Sequence, residues 1–243
     1  MRYRNIEIAH FLDRPNRFIA HVELSGQVET VHVKNTGRCR ELLIPGVTVY
    51  LERSTNPLRK TACDLVAVEK GERLINMDSQ APNKVFGEFA LSGGFAEGVT
   101  SLWPEYTYGD SRLDFALQTP EGFHLVEVKG VTLEHEGVAY FPDAPTERGV
   151  KHLKELTKAA AAGIDASVVF VVQMEQVRHM SPNDLTHPEF GQALREARAA
   201  GVNVRAFSCK VEPDELRIDR EIPVVLCAKE VTHGKRTDPC PER

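Results

Sequence analysis

The chain has 243 residues, 42% of them hydrophobic and 27% charged, with a formal net charge of −5. That length supports one large or two small buried cores and excludes wholesale disorder, and no apolar run approaches the ~18 residues a membrane span needs. The five cysteines (Cys39, Cys63, Cys209, Cys227, Cys240) show no CxxC spacing; this argues against a disulfide scaffold or zinc site and, with no signal-like stretch in MRYRNIEIAH, predicts a cytoplasmic protein with reduced thiols.

Residues 1–62 carry ten Lys and Arg against six Asp and Glu, a net of +4, which leaves −9 for the remainder. Such asymmetry suggests two modules with different partners. Alternation of period two predicts a hairpin of 17–24 and 27–34 across Ser25-Gly26, then strands at 47–53, 61–70 and 72–77. Five short strands without a long helix predict an OB-like five-stranded β-barrel over residues 1–80, a shape that often binds nucleic acid in a basic groove. The polar, proline-containing stretch 78–83 reads as the joint. Beyond it the pattern turns to mixed α and β, placing an α/β domain at 81–226. A helix is expected over 84–96, broken by Gly93-Gly94, then strands at 111–118 and 123–129. Thr146 is a candidate N-cap for a long helix ending at Gly163. The run ASVVFVVQ (166–173) reads as a strand buried on both faces. A helix at 188–200, a strand at 202–207 and a flexible tail over 227–243 complete the expectation.

The chemistry sits in SRLDFALQTPEGFHLVEVKG. Thr119-Pro120-Glu121-Gly122 is a turn signal between two strands, so Gln118 should face Phe123. Carried along in register, Asp114 falls opposite Glu127, with Cβ atoms roughly 4.5–5.5 Å apart. Two carboxylates at that distance repel unless a cation sits between them, and Mg²⁺ or Mn²⁺ suits one or two carboxylates with water and phosphate as further ligands. Lys129, two residues on, projects from the same face as Glu127. Asp114 and Glu127 would hold the metal against a phosphodiester, and Lys129 would orient water and stabilise developing charge. The plain alternative is a strand whose Asp, Glu and Lys face solvent.

The ordered blocks KNTGR (34–38), LIPG (43–46), APN (81–83), SRLDF (111–115), VEVKGVTL (126–133) and FPDAPTERGVKHL (141–153) carry a resemblance over residues 10–226. By them the chain resembles the sugar fermentation stimulation protein A (SfsA) family. The resemblance implies an N-terminal OB-like domain and a C-terminal restriction-endonuclease-like domain of PD-(D/E)XK type. It also implies non-specific DNA binding and regulation of sugar (maltose) metabolism. Asp114, Glu127 and Lys129 then occupy the nuclease triad positions, although Leu113 stands where the motif's name has proline. Glu88, on the helix opening this domain, is a further candidate metal ligand or an exposed helical glutamate.

Arg148, Lys151 and His152 are candidate phosphate ligands near the start of the long helix, where free N–H groups already favour an anion. Arg148, His152 and Glu155 share a face expected to point away from Val150 and Leu153. Asp143 reads as a site-edge ligand or the start of a turn. In the first module Lys34, Asn35, Thr36, Gly37, Arg38 and Arg40 form a basic loop suited to phosphate contacts, which Arg53, Arg59 and Lys60 would extend. Trp103, Tyr106 and Tyr108 read as core or sheet-face packing rather than a base-stacking platform. The expected partner is DNA, or RNA. Two function classes stand: a Mg²⁺-dependent nuclease, or a DNA-binding regulator without turnover. A carbohydrate-active enzyme fits less well, because Lys129 beside the carboxylates suits phosphodiester chemistry.

Overall fold

The computed structural model describes residues 1–35 and 37–227; Thr36 and the tail from 228 onward lie outside the described residues. The first module is a sheet of β1 (Ile6–Asn16), β2 (Ile19–Leu24), β3 (Gln27–Val33), β4 (Thr48–Arg53), β5 (Cys63–Lys70) and β6 (Arg73–Asn76), in the order β3-β2-β1-β4-β5-β6. Parallel rungs His32↔Asp64 and Val33↔Leu65 join β3 to β5 and close a five-stranded barrel. Its five strands are β1 to β5. The hairpin across Ser25-Gly26 forms with Leu24 opposite Gln27. The expected fifth strand is instead β6, which hangs outside the barrel on β5, and β1 takes its place. Register shifts between Phe11, Asp13 and Asn16 break the alternation of β1, which hides it as a strand.

The second module carries a six-stranded sheet in the order β15-β14-β12-β9-β8-β7. Its strands are β7 (Ser101–Tyr108), β8 (Ser111–Thr119), β9 (Gly122–Val131), β12 (Asp165–Val172), β14 (Asn203–Glu212) and β15 (Glu215–Ile222). A three-stranded sheet of β10 (Leu133–His135), β11 (Val138–Phe141) and β13 (His179–Pro182) stands beside it. Helix α1 (Ala81–Leu91) contacts β9 and β15 through the cluster containing Phe86, Phe115 and Val126. Helices α2 (Glu147–Ala161) and α3 (Pro188–Ala199) pack together on the cluster containing Leu113, Leu125 and Phe170. Covered on both faces, β12 has no solvent-facing side: Ala166 to Val172 are all buried. Helix α2 begins where expected, with the Thr146 Oγ1 accepting the Gly149 N–H at 3.1 Å.

The joint is not a loose linker. Asn76, Met77, Asp78, Ala81 and Pro82 are buried, and only Ser79 and Gln80 are exposed. Tyr3 donates its hydroxyl to Asp78 Oδ2 at 3.3 Å and accepts from Asn76 Nδ2 at 2.8 Å. Gln173, at the end of β12, donates to Asn76 Oδ1 at 2.9 Å and to the Asp78 carbonyl at 3.0 Å. Burial, then the charge of Asp78, pushes the Tyr3 phenol far above its ordinary range. A second tie lies farther along the same seam, where Lys70 and Arg73 from the β5–β6 hairpin meet buried Glu134 of β10.

Candidate nuclease centre and nucleic-acid surface

The β8–β9 hairpin has the expected register: Thr119 faces Gly122 and Gln118 faces Phe123, and the rungs run to Phe115 opposite Val126. One position farther, the Asp114 side chain enters the hydrogen bonding itself. Its Oδ2 accepts the Val128 N–H at 2.8 Å, and its Oδ1 accepts from Asn83 of α1 at 2.9 Å. Glu127 is 2% exposed. Its Oε1 receives both the Lys129 ammonium and the His152 Nδ1–H. Arg148 Nε donates to His152 Nε2 at 3.4 Å, which places the ring proton on Nδ1. The other Glu127 oxygen, Oε2, is buried without a hydrogen-bond partner among the described residues.

The two carboxyls are driven apart. Burial raises Asp114, the neighbouring Glu127 charge raises it further, and Lys129, the Val128 N–H and Asn83 offset only part of this. Burial would raise Glu127 too, but the His152 hydrogen bond and the Lys129 charge outweigh it and hold the carboxyl below its ordinary value. One orphaned carboxylate oxygen beside a second carboxyl held up by burial and by its neighbour's charge is a donor set that suits a hard divalent cation. Among the described residues, no three His, Cys, Asp or Glu side chains converge on a cation position.

Several expected residues sit differently. Glu88 is exposed and binds the Met1 amine at 2.7 Å; Asn83 is the α1 residue that reaches Asp114. His152 and Glu155 do not point away from the core: both are buried, because Gly149, His152, Leu156 and Ala159 follow one helical stripe. Arg148 stays exposed near the start of α2, and Lys151, also exposed, donates to the Asp110 carbonyl at 2.6 Å.

The basic loop divides into props and free charges. Lys34 pairs with buried Asp78 at 3.0 Å. Asn35 donates to the Met77 carbonyl at 3.0 Å and accepts the Gly37 N–H at 2.7 Å. Gly37 lies against the second domain, where a Cβ would fall 2.5 Å from Asp143 Oδ2. Arg38 and Arg40 are exposed, and neither guanidinium is engaged among the described residues. Arg53 is paired with Glu7 and Arg59 with Asp64, so of the expected extension only Lys60 is exposed and unpaired. The organiser missed in the sequence is Arg14. Its guanidinium donates to the carbonyls of Arg17, Asn35, Gly37 and Arg38 at 2.6–2.9 Å. On the sheet of the second domain, Tyr106 and Trp103 pack on Phe123 with ring centres 5.3 and 6.2 Å apart, as sheet-face residues.

Comparisons with known proteins agree with this architecture. Residues 12–77 match the domain described as SfsA N-terminal OB domain, and residues 80–215 match the Sugar fermentation stimulation protein RE domain. Sugar fermentation stimulation protein homologs of Desulfitobacterium hafniense and Ruminiclostridium cellulolyticum are 54% and 51% identical over 226 residues. Those alignments cover 93% of this chain and 99% and 100% of the relatives. The structure of Pyrococcus furiosus SfsA in complex with Ca²⁺ superposes with a TM-score of 0.84 at 29% identity, covering 93% of this chain and 98% of the other. No helix among the described residues is long and apolar enough to cross a membrane. The chain belongs to the sugar fermentation stimulation protein family.

Proposed function

We propose that this protein binds nucleic acid without sequence preference and hydrolyses phosphodiesters with a divalent cation held by Asp114 and Glu127. The observation that carries the reading is the buried Glu127 Oε2, which has no hydrogen-bond partner among the described residues, beside Asp114 in a cluster with Lys129. A cation bound there would polarise the phosphodiester and make a nearby water more acidic. The remaining work falls to the chain's own groups. His152 and Lys129 hold Glu127 ionised through Oε1, leaving the buried Oε2 free to serve as a ligand. Lys129 also supplies positive charge where negative charge grows on the phosphorane oxygens. Arg148 beside His152, with Arg38 and Arg40 across the Gly37–Asp143 contact, supports the backbone phosphates. The Ca²⁺ in the name of the Pyrococcus furiosus relative is a cation of the same oxygen preference.

A second reading, a DNA-binding regulator without useful turnover, is favoured by Lys129 and His152 both being engaged by a single Glu127 oxygen. The test is cleavage of single- and double-stranded DNA and RNA by the full chain with Mg²⁺ or Mn²⁺, beside Asp114→Asn and Glu127→Gln. Cation-stimulated cleavage that both substitutions abolish, with nucleic-acid affinity retained, supports the nuclease. Wild-type cleavage rates in both variants overturn the metal site. Binding with no cleavage of any substrate selects the regulator.

A further inference from the structure

The β1–β2 turn presents Phe18 at 50% exposure, whereas the barrel's other phenylalanine, Phe11, is 2% exposed. The ring is not idle surface. The Arg17 guanidinium lies 5.8 Å from its centre, within cation–π reach. Its backbone is fixed: the Phe18 N–H donates to Asn16 Oδ1 at 2.9 Å, and the Phe18 carbonyl accepts from Val33 at 2.8 Å. Arg14 then ties this turn to the basic loop, since one guanidinium holds the carbonyls of Arg17, Asn35, Gly37 and Arg38. A half-exposed ring is thereby tied to the stretch of chain that carries the unengaged cation Arg38, with the second, Arg40, two residues on. The Gly37–Asp143 contact joins the loop to the segment that leads into α2.

An aromatic face beside backbone-neutralising arginines is how proteins hold unpaired nucleotides, because every base offers a π-face whatever its identity. A paired base keeps its faces inside the stack and cannot use such a ring. We propose that Phe18 is a stacking residue for an unpaired base, and that the preferred partner is a single strand whose phosphates run over Arg38 and Arg40. The inference rests on the nucleic-acid reading above and names its substrate class. The pre-set ring and anchored backbone mean that little freedom is lost when the base docks.

The experiment is fluorescence anisotropy with the full chain and three labelled probes: a short oligothymidylate, an abasic strand of equal length, and a duplex. Phe18→Ala is expected to weaken oligothymidylate binding about tenfold and to leave the abasic strand and duplex within about twofold, the range expected when phosphate contacts are untouched. Phe18→Trp is expected to restore affinity. Made in a Trp103→Phe background, since Trp103 is the single native tryptophan, its emission should be quenched by oligothymidylate and not by the abasic strand. Equal loss on all three probes, no loss on oligothymidylate, or failure of Phe18→Trp to restore binding overturns the stacking role while nucleic-acid binding stands. Absence of wild-type binding to every probe overturns both.

Discussion

Glu134 offers a sharp quantitative test of how the two modules are joined. It is 4% exposed, it accepts Lys70 at 2.8 Å and Arg73 at 2.7 Å from the β5–β6 hairpin, and it caps the Gly137 N–H. Burial alone would raise its carboxyl; Lys70, the Gly137 N–H and Arg73 outweigh that and bring it down to about 2 from an ordinary 4.5. Such a displacement corresponds to about 3 kcal/mol of stability at neutral pH. The group flanks an open cleft of about 550 Å³, and solvent screening at such a cleft argues for the lower side of that figure. Because the folded carboxyl holds its proton less tightly than the unfolded one, the contribution is complete above about pH 4.5 and fades as the pH falls toward about 2. Glu134→Gln is therefore expected to lower the unfolding free energy by about 2–3 kcal/mol at neutral pH. Urea melts followed by circular dichroism, repeated down the pH scale, should show wild type and variant converging in acid. A gap that stays constant with pH, or one below about 0.5 kcal/mol at neutral pH, refutes the ion-pair account.

Two further substitutions address the loop and the strand that carry the site. Arg14→Lys keeps the charge but loses the planar fork that spans four carbonyls, so a loss of about 1–2 kcal/mol is expected, with faster amide exchange over residues 35–40 by mass spectrometry; exchange at the wild-type rate would show that the loop holds itself. At Gly130, directly after Lys129, a Cβ would fall 2.6 Å from Pro82 Cγ and 2.7 Å from Gln173 Oε1, both packed in the seam. Gly130→Ala is expected to cost about 1–3 kcal/mol in a thermal melt, and an unchanged midpoint would mean that the seam is looser than its packing indicates.

The legible parts of this protein were those governed by local rules. A turn signal of four residues sets the β8–β9 register as far as Phe115 opposite Val126 without knowledge of the fold; one position on, Asp114 feels the Glu127 charge but spends its Oδ2 on the Val128 N–H. The Thr146 cap and the largely apolar, buried β12 were equally readable, since each depends on a few adjacent residues. Less legible were the elements shaped by distant contacts. β7 contains Pro104 and Glu105, the latter with φ of 53°, and resembles a loop until β8 pairs with it. β10 and β11 have three and four residues, too few to show a period. His152 and Glu155 read as a solvated face because polar residues usually are; what reverses this is the carboxylate across the helix and the turn at Gly109, neither near in sequence. Arg14 resembled one more surface arginine, and nothing in its neighbourhood along the chain announces four carbonyls waiting for it.

The buried seam bears on how hybrids of this family can be built. A chimera cut at the connector joins Asn76 and Asp78 of one parent to whatever stands at position 173 in the other. It likewise leaves Lys70 and Arg73 to meet a foreign residue at position 134. The unit that can be exchanged is therefore not a domain. A transplanted barrel keeps its seam only when it meets Gln173 and Glu134, although both belong by sequence to the other half.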